Sequence, residues 1–328
     1  MENRWIVGLA LALGLSMGAV PAAANDTVAS MQAGGLRFER TAGISMLSED
    51  LYLSSGEVRV TYRFLNHTDE GISTLVAFPM PDVEPGWISD AGGDLAHPER
   101  MLPFLTWADG QPVYMEVEQR AVVGERDVSA LLEAHGVPLN PYGEAAQLAL
   151  EELSEAALAE LEAAGAIDRG PNGDDWGWPR WTLKTTHYWT QYFPPGEEVE
   201  IRHIYVPAVG GTSTSLIGVD ADWGEVTSEY RERHCVDDAF EQAARRGRER
   251  GLHYTETWLD YVLTTGANWA GPIREFRMVV DKGSENNLVS FCGTGVRRIS
   301  PTQFEVRYEN YTPDRDMNVL ILNGFQMD

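Results

Sequence analysis

The chain has 328 residues, with 50 Asp and Glu against 25 Lys and Arg, and a formal net charge of −25 at pH 7. So acidic a chain is repelled by phosphate backbones and anionic lipid, which argues against nucleic-acid and membrane-surface binding. Its length suits one large domain or two ordinary ones. The charge fits either solubility in a salty, exposed compartment or a surface that collects cations or a basic partner.

The first 24 residues read as a secretory leader. One basic residue, Arg4, precedes a charge-free run from Trp5 to Val20, and Pro21-Ala22-Ala23-Ala24 supplies the small residues of a cleavage site, with the cut expected between Ala24 and Asn25. The alternative is a membrane anchor, but the run is about 16 residues and a spanning helix needs roughly 20. The leader predicts a soluble protein that is periplasmic or secreted, with no membrane insertion after cleavage. In that oxidising setting Cys235 and Cys292 are expected to form one disulfide. Free or redox-active thiols are the competing reading, although the chain has no Cys-x-x-Cys.

Residues 25–126 form a predicted N-terminal β region. Val58, Val60, Tyr62 and Phe64 alternate with their neighbours, as do Ile72, Thr74, Val76, Phe78 and Met80. With a polar turn over residues 66–71, this predicts a β-hairpin over 57–80. A further strand is expected through Val113, Met115 and Val117 after the Asp109-Gly110 turn. The paired Glu49-Asp50 is assigned capping or turn work, because neighbours on a strand face opposite ways and cannot flank one bond.

Residues 127–175 read as an acidic helical insertion. Asp127 and Ser154 are candidate caps, Pro141 opens a helix over about 142–152, and Gly136 and Gly165 are stops. Between Glu144 and Asp175 there are nine acidic residues and one basic residue, Arg169. The insertion can project from the β scaffold or lie over it as a lid. Residues 176–328 form a predicted C-terminal β region with one further helix near 237–250. Acids at that helix's start and arginines towards its end complement its dipole. The fold class expected is therefore mainly β (α+β), with antiparallel, sandwich-like sheets, a helical insertion and one further helix.

Gly34-Gly35-Leu36-Arg37-Phe38, Ser48-Glu49-Asp50-Leu51, Ala77-Phe78-Pro79-Met80-Pro81-Asp82, Asn268-Trp269-Ala270-Gly271-Pro272 and Tyr311-Thr312-Pro313-Asp314-Arg315-Asp316 follow one another across the mature chain. In this order they resemble the domain of unknown function 4424 family of exported bacterial proteins. The resemblance implies an exported envelope protein of one conserved architecture, and it brings no activity, cofactor or catalytic residue with it.

Candidate chemistry is sparse. No Gly-x-Ser-x-Gly, His-Glu-x-x-His or phosphate-binding glycine loop is present. No cofactor is predicted. Residues 181–206 read as a hairpin whose register pairs Trp189 with His203 and His187 with Tyr205, placing both histidines and the tyrosine on one sheet face. Such a face can bind a transition metal or relay a proton, or be ordinary aromatic core. Trp176 and Trp178, beside Asp174 and Asp175, can stack on sugar rings or anchor the insertion to the sheet, together with Trp181. The favoured function is a non-enzymatic binding or structural module whose partner is an envelope protein or glycan. The alternatives are an exported hydrolase or metal-dependent enzyme using His187 and His203, and carbohydrate binding through Trp176 and Trp178.

Overall fold

The computed structural model describes residues 25–32, 35–85, 104–141, 144–170, 177–219 and 228–326. The predicted leader with Ala24, and also Trp176, lie outside the described residues. The first half forms β1 (Thr27–Gln32), β2 (Gly35–Glu39), β3 (Ile44–Leu53), β4 (Val58–Asn66), β5 (Ile72–Pro79), β6 (Leu105–Ala108), β7 (Gln111–Val113), β8 (Glu116–Val123) and β9 (Arg126–Asp127). Helices α1 (Ser129–Ala134), α2 (Glu144–Glu151) and α3 (Glu155–Ala163) follow, then the short strands β10 (Ile167–Asp168) and β11 (Trp178–Pro179). The remainder holds β12 (Thr182–Phe193), β13 (Glu198–Tyr205), β14 (Val209–Thr212), α4 (Ser228–His234), α5 (Asp238–Glu249), β15 (Leu252–Tyr261) and β16 (Ile273–Asp281). It closes with β17 (Leu288–Ser290), β18 (Arg297–Arg298), β19 (Gln303–Tyr311) and β20 (Met317–Gln326).

The architecture is mainly β and the sheets are antiparallel apart from the parallel pair β3–β16. A six-stranded sheet runs β2-β1-β5-β12-β8-β9, an eight-stranded sheet β18-β19-β16-β3-β4-β13-β6-β7, and a four-stranded sheet β14-β15-β20-β17. One apolar core contains residues of all three, among them Phe78 and Trp189, Phe64 and Ile201, and Tyr261 and Ile321. The other face of the four-stranded sheet packs on α5 through Ala244, Tyr254 and Leu320.

Neither predicted hairpin exists. β4 pairs with β3 and β13, whereas β5 pairs with β1 and β12, so residues 57–80 cross between two sheets. Residues 181–206 do the same, β12 lying in the six-stranded sheet and β13 in the eight-stranded one. Alternation reports a buried face but not which strand supplies the neighbouring ladder, so an arch between sheets carries the same pattern as a hairpin. Asn66 locks the two arches together. Its Nδ2 donates to the carbonyls of Glu70 (2.8 Å) and Phe193 (3.0 Å), and its own carbonyl accepts from Gly196 N at 3.0 Å. The predicted strand through Val113 and Val117 also divides, into β7 and β8 in different sheets.

The insertion has its own small core of Leu132, Leu150, Leu158, Leu161 and Ile167, closed onto the six-stranded sheet by Ala121 and Trp181. Ser154 caps α3 by accepting from Ala157 N at 3.3 Å. Asp127 acts one residue outside the expected position: Val128 is the N-cap of α1, and Asp127 Oδ1 accepts from Ser129 N at 2.9 Å. Among the described residues, α4 and α5 stand where one α-helix was predicted, and Cys235, at φ 52, breaks the run between them. Asp237 caps α5 through Phe240 N at 2.8 Å. Cys235 and Cys292 are bonded to each other, with Cα atoms 5.1 Å apart, fastening this break to the segment after β17.

Candidate functional site

Two neighbouring features occupy the space between the six- and eight-stranded sheets. One is a sealed polar cluster, the other an open pocket, and Thr106 belongs to both.

The polar cluster begins at Asn25 and Asp26, which enter the core ahead of β1 and are fully buried. Trp269 holds the entry by donating its indole N–H to the Asp26 carbonyl at 2.7 Å. Thr265 clasps Asn25 twice, accepting from its backbone N at 3.0 Å and donating to its carbonyl at 2.7 Å. Asp26 Oδ1 lies 3.1 Å from His203 Nε2, and His203 Nδ1 lies 2.8 Å from Thr106 Oγ1. Glu49 joins from β3, where a bulge between Met46 and Ser48 shifts the phase of the strand. Before the bulge Ile44 and Met46 are the inward positions, and after it Glu49, Leu51 and Leu53 are. Glu49 is therefore a core residue and not the capping or turn residue expected, while Asp50 faces out to Arg277 at 2.9 Å.

Within this interior Asn25 Nδ2 donates to Glu49 Oε2 at 3.1 Å and Tyr261 OH donates to Glu49 Oε1 at 3.4 Å. Tyr261 and Tyr62 share a 2.9 Å hydroxyl contact. Loss of water dominates the protonation of these groups. Burial pushes the Glu49 carboxyl up to about 8, against the weaker pull of Asn25 and Tyr261. It raises Asp26 as well, opposed by His203, and lifts Tyr62 and Tyr261 well above the ordinary phenol range. Asn25 Oδ1, Asp26 Oδ2 and Tyr205 Oη are buried without a hydrogen-bond partner.

The pocket opens at the sandwich edge where β6 and β7 diverge from β8 and β12. Its volume is about 580 Å³, and Met80, Phe104, Val113, Met115, His187 and Tyr205 line it. Phe104 stacks on His187 (centroids 4.5 Å apart, 13° between planes) and on Tyr205 (5.0 Å, 21°). Val117 and Tyr114, 52% and 95% exposed, stand at the rim. Burial lowers His187 to about 4, with His203 adding to the effect, so its ring is neutral at pH 7. Thr106 forms part of the lining and donates to Met115 Sδ at 3.1 Å while meeting His203 on its inner side.

The residues predicted from sequence are thus partly reunited by another route. His187 and His203 come from facing sheets rather than one face, and Phe78, not Tyr205, is the ladder neighbour of His187. Both ring nitrogens of His203 have partners, and among the described residues no three His, Cys, Asp or Glu side chains are grouped to hold a metal ion. Trp178 stands on β11 opposite Asp168 and is 45% exposed. Trp181 is buried in the insertion core and donates to the Leu139 carbonyl at 2.7 Å. No described residue of the insertion lines the pocket. Asn25, Asp26, Glu49, Phe104 and Thr106 escaped sequence reasoning as site residues. The available signals were a carboxylate at an alternating strand position and polar residues directly beside the predicted cut.

The family model described as Domain of unknown function (DUF4424) matches residues 24–320. No curated protein matches the sequence. Among solved structures, the chain is similar to a candidate nutrient-binding protein from Legionella pneumophila, at 14% identity and a TM-score of 0.42, over 91% of this chain and 70% of that one. It is also similar to an M1 zinc metallopeptidase from Deinococcus radiodurans, at 9% identity and a TM-score of 0.27, over 87% of this chain and 43% of that one. No helix among the described residues is long and apolar enough to cross a membrane.

Proposed function

Starting from a chain that belongs to the DUF4424 family, we propose that the protein is an exported, non-enzymatic binding module of the bacterial envelope. Its ligand is an uncharged apolar or aromatic small molecule taken into the pocket at the sandwich edge. The observation that carries this reading is the Phe104 ring, stacked between His187 and Tyr205 in a cavity of about 580 Å³ that opens to solvent. Small-molecule sites commonly measure roughly 300–1,000 Å³ and combine apolar walls with a few polar groups. Here Met80, Met115, Val113 and the rings supply the walls, and Thr106 and neutral His187 supply the polar groups. Among the described residues no cationic side chain lines the cavity, which favours a neutral ligand over an anion.

Titration with N-phenyl-1-naphthylamine, a neutral aromatic probe that brightens in apolar surroundings, tests this. The expected result is saturable one-to-one binding, weakened about tenfold or more in Val117→Lys, which puts a charge at the exposed rim, and in Phe104→Ala. Absence of saturable binding, or affinity unchanged in both variants, refutes the assignment.

A further inference from the structure

The polar cluster contains one acid too many. Asp26 has His203 as a partner at 3.1 Å, but Glu49 has only the neutral donors Asn25 and Tyr261. Two further acceptors, Asn25 Oδ1 and Asp26 Oδ2, are buried without donors. A buried site of this kind is short of one positive charge and of hydrogen-bond donors. The backbone nitrogen of Asn25 lies inside the same site, donating to Thr265 Oγ1 at 3.0 Å in a residue with no exposed surface. It belongs to the residue that follows the small-residue run of the leader.

We propose that cutting the chain before Asn25 leaves its α-ammonium group inside the sandwich as the counter-ion of the Asp26 and Glu49 carboxylates, so that leader removal completes the core. The inference rests on the export reading but not on the pocket's ligand. In the cut, an export peptidase hydrolyses the Ala24–Asn25 peptide bond with one water. The carboxylate departs on Ala24, and the new amine on Asn25 takes up a proton. One peptide N–H becomes three ammonium donors. One stays with Thr265, and two become available to the unpartnered oxygens on Asn25 and Asp26. The Asn25 side chain already spans to Glu49, so the new charge sits within one side chain's reach of that carboxylate. The other titratable groups that act on Glu49 are Asp26 ahead of β1, Tyr62 from β4, Tyr261 from β15 and Tyr311 from β19. The three phenols are raised and stay neutral at pH 7, so they supply no competing charge.

The pH dependence of stability separates the two forms. Without the ammonium, Glu49 titrates near 8 when folded and near 4.5 when unfolded, so the folded state binds the extra proton between those values. Stability then falls as pH rises from about 4.5 to about 8. With the ammonium as partner, Glu49 ionises in the folded state and this loss disappears.

The experiment compares full mature protein beginning at Asn25 with a form beginning at Ala23, after N-terminal sequencing of the natively exported protein. The expected first residue is Asn25, and the extended form should have an unfolding constant larger by about a hundredfold at pH 7. That difference should vanish in Asp26→Asn with Glu49→Gln. A different natural first residue, equal stability of the two forms, or a difference that persists in the double variant overturns the proposal. If the double variant does not fold, acylation of the Asn25 amine in the unmutated protein decides. Protection of about a hundredfold over the unfolded chain is expected, and reaction at the unfolded rate overturns it.

Discussion

Asp26 and His203 stand 177 residues apart in sequence, and their side chains meet at 3.1 Å, Oδ1 to Nε2, with neither exposed to solvent. The contact ties the start of the six-stranded sheet to β13 of the eight-stranded sheet. Removing one member of a buried hydrogen-bonded pair leaves the other unsatisfied, at a cost of about 1–3 kcal/mol. Asp26→Ala and His203→Ala should each lower urea stability by an amount of that order, and the double variant should lose much less than the sum. Additive losses would show that the two groups are not coupled.

His187 sets the pocket's response to acid. Its folded pKa of about 4 lies below the ordinary 6.5, so the unfolded chain binds the proton more readily. The stability it contributes is complete above about 6.5 and is lost as pH falls towards 4. Histidine NMR shifts should therefore show a neutral His187 ring at pH 5.5, with probe binding constant between pH 5.5 and 8. A midpoint above 6 would contradict the buried, neutral assignment.

The disulfide closes a loop of 57 residues in sequence separation. In the chain-entropy model such a loop stabilises by about 4 kcal/mol. Cys292→Ser should lower the urea midpoint accordingly without changing the strand content seen by circular dichroism. Mass spectrometry of the exported protein should find both thiols oxidised, and two free thiols would refute the bond.

Trp181 joins the helical insertion to the sandwich. It fills the insertion core and bonds the Leu139 carbonyl. Trp181→Ala should cost about 3–5 kcal/mol, as large-to-small changes in well-packed cores do. Because the insertion core is separate from the main one, limited proteolysis should cut first within residues 128–166. First cleavage in β4 or β16 would contradict that separation.

Much of the strand pattern was legible because alternation of Val58 to Phe64 or Val199 to Tyr205 reports a half-buried strand directly. Ser154 was legible as a helix cap, since a short polar side chain before an amphipathic run has one dominant use. Partner strands were not. Whether Asn66 to Gly71 turns a hairpin or crosses between sheets depends on hydrogen bonds to Phe193 and Gly196, more than a hundred residues away. Glu49 was hidden for a related reason: a single bulge reverses its face, and nothing in Ser45 to Asp50 marks it. The pocket was half-visible, because His187 and Tyr205 stood out as chemistry whereas Phe104, the ring that brings them together, carried no signal of its own.

The most direct test of the binding assignment is a crystal structure of the protein with the neutral naphthyl probe. One probe molecule is expected in the pocket, in contact with Phe104, Met115 and Tyr205. A probe bound elsewhere, or an empty pocket at saturating probe, would contradict it.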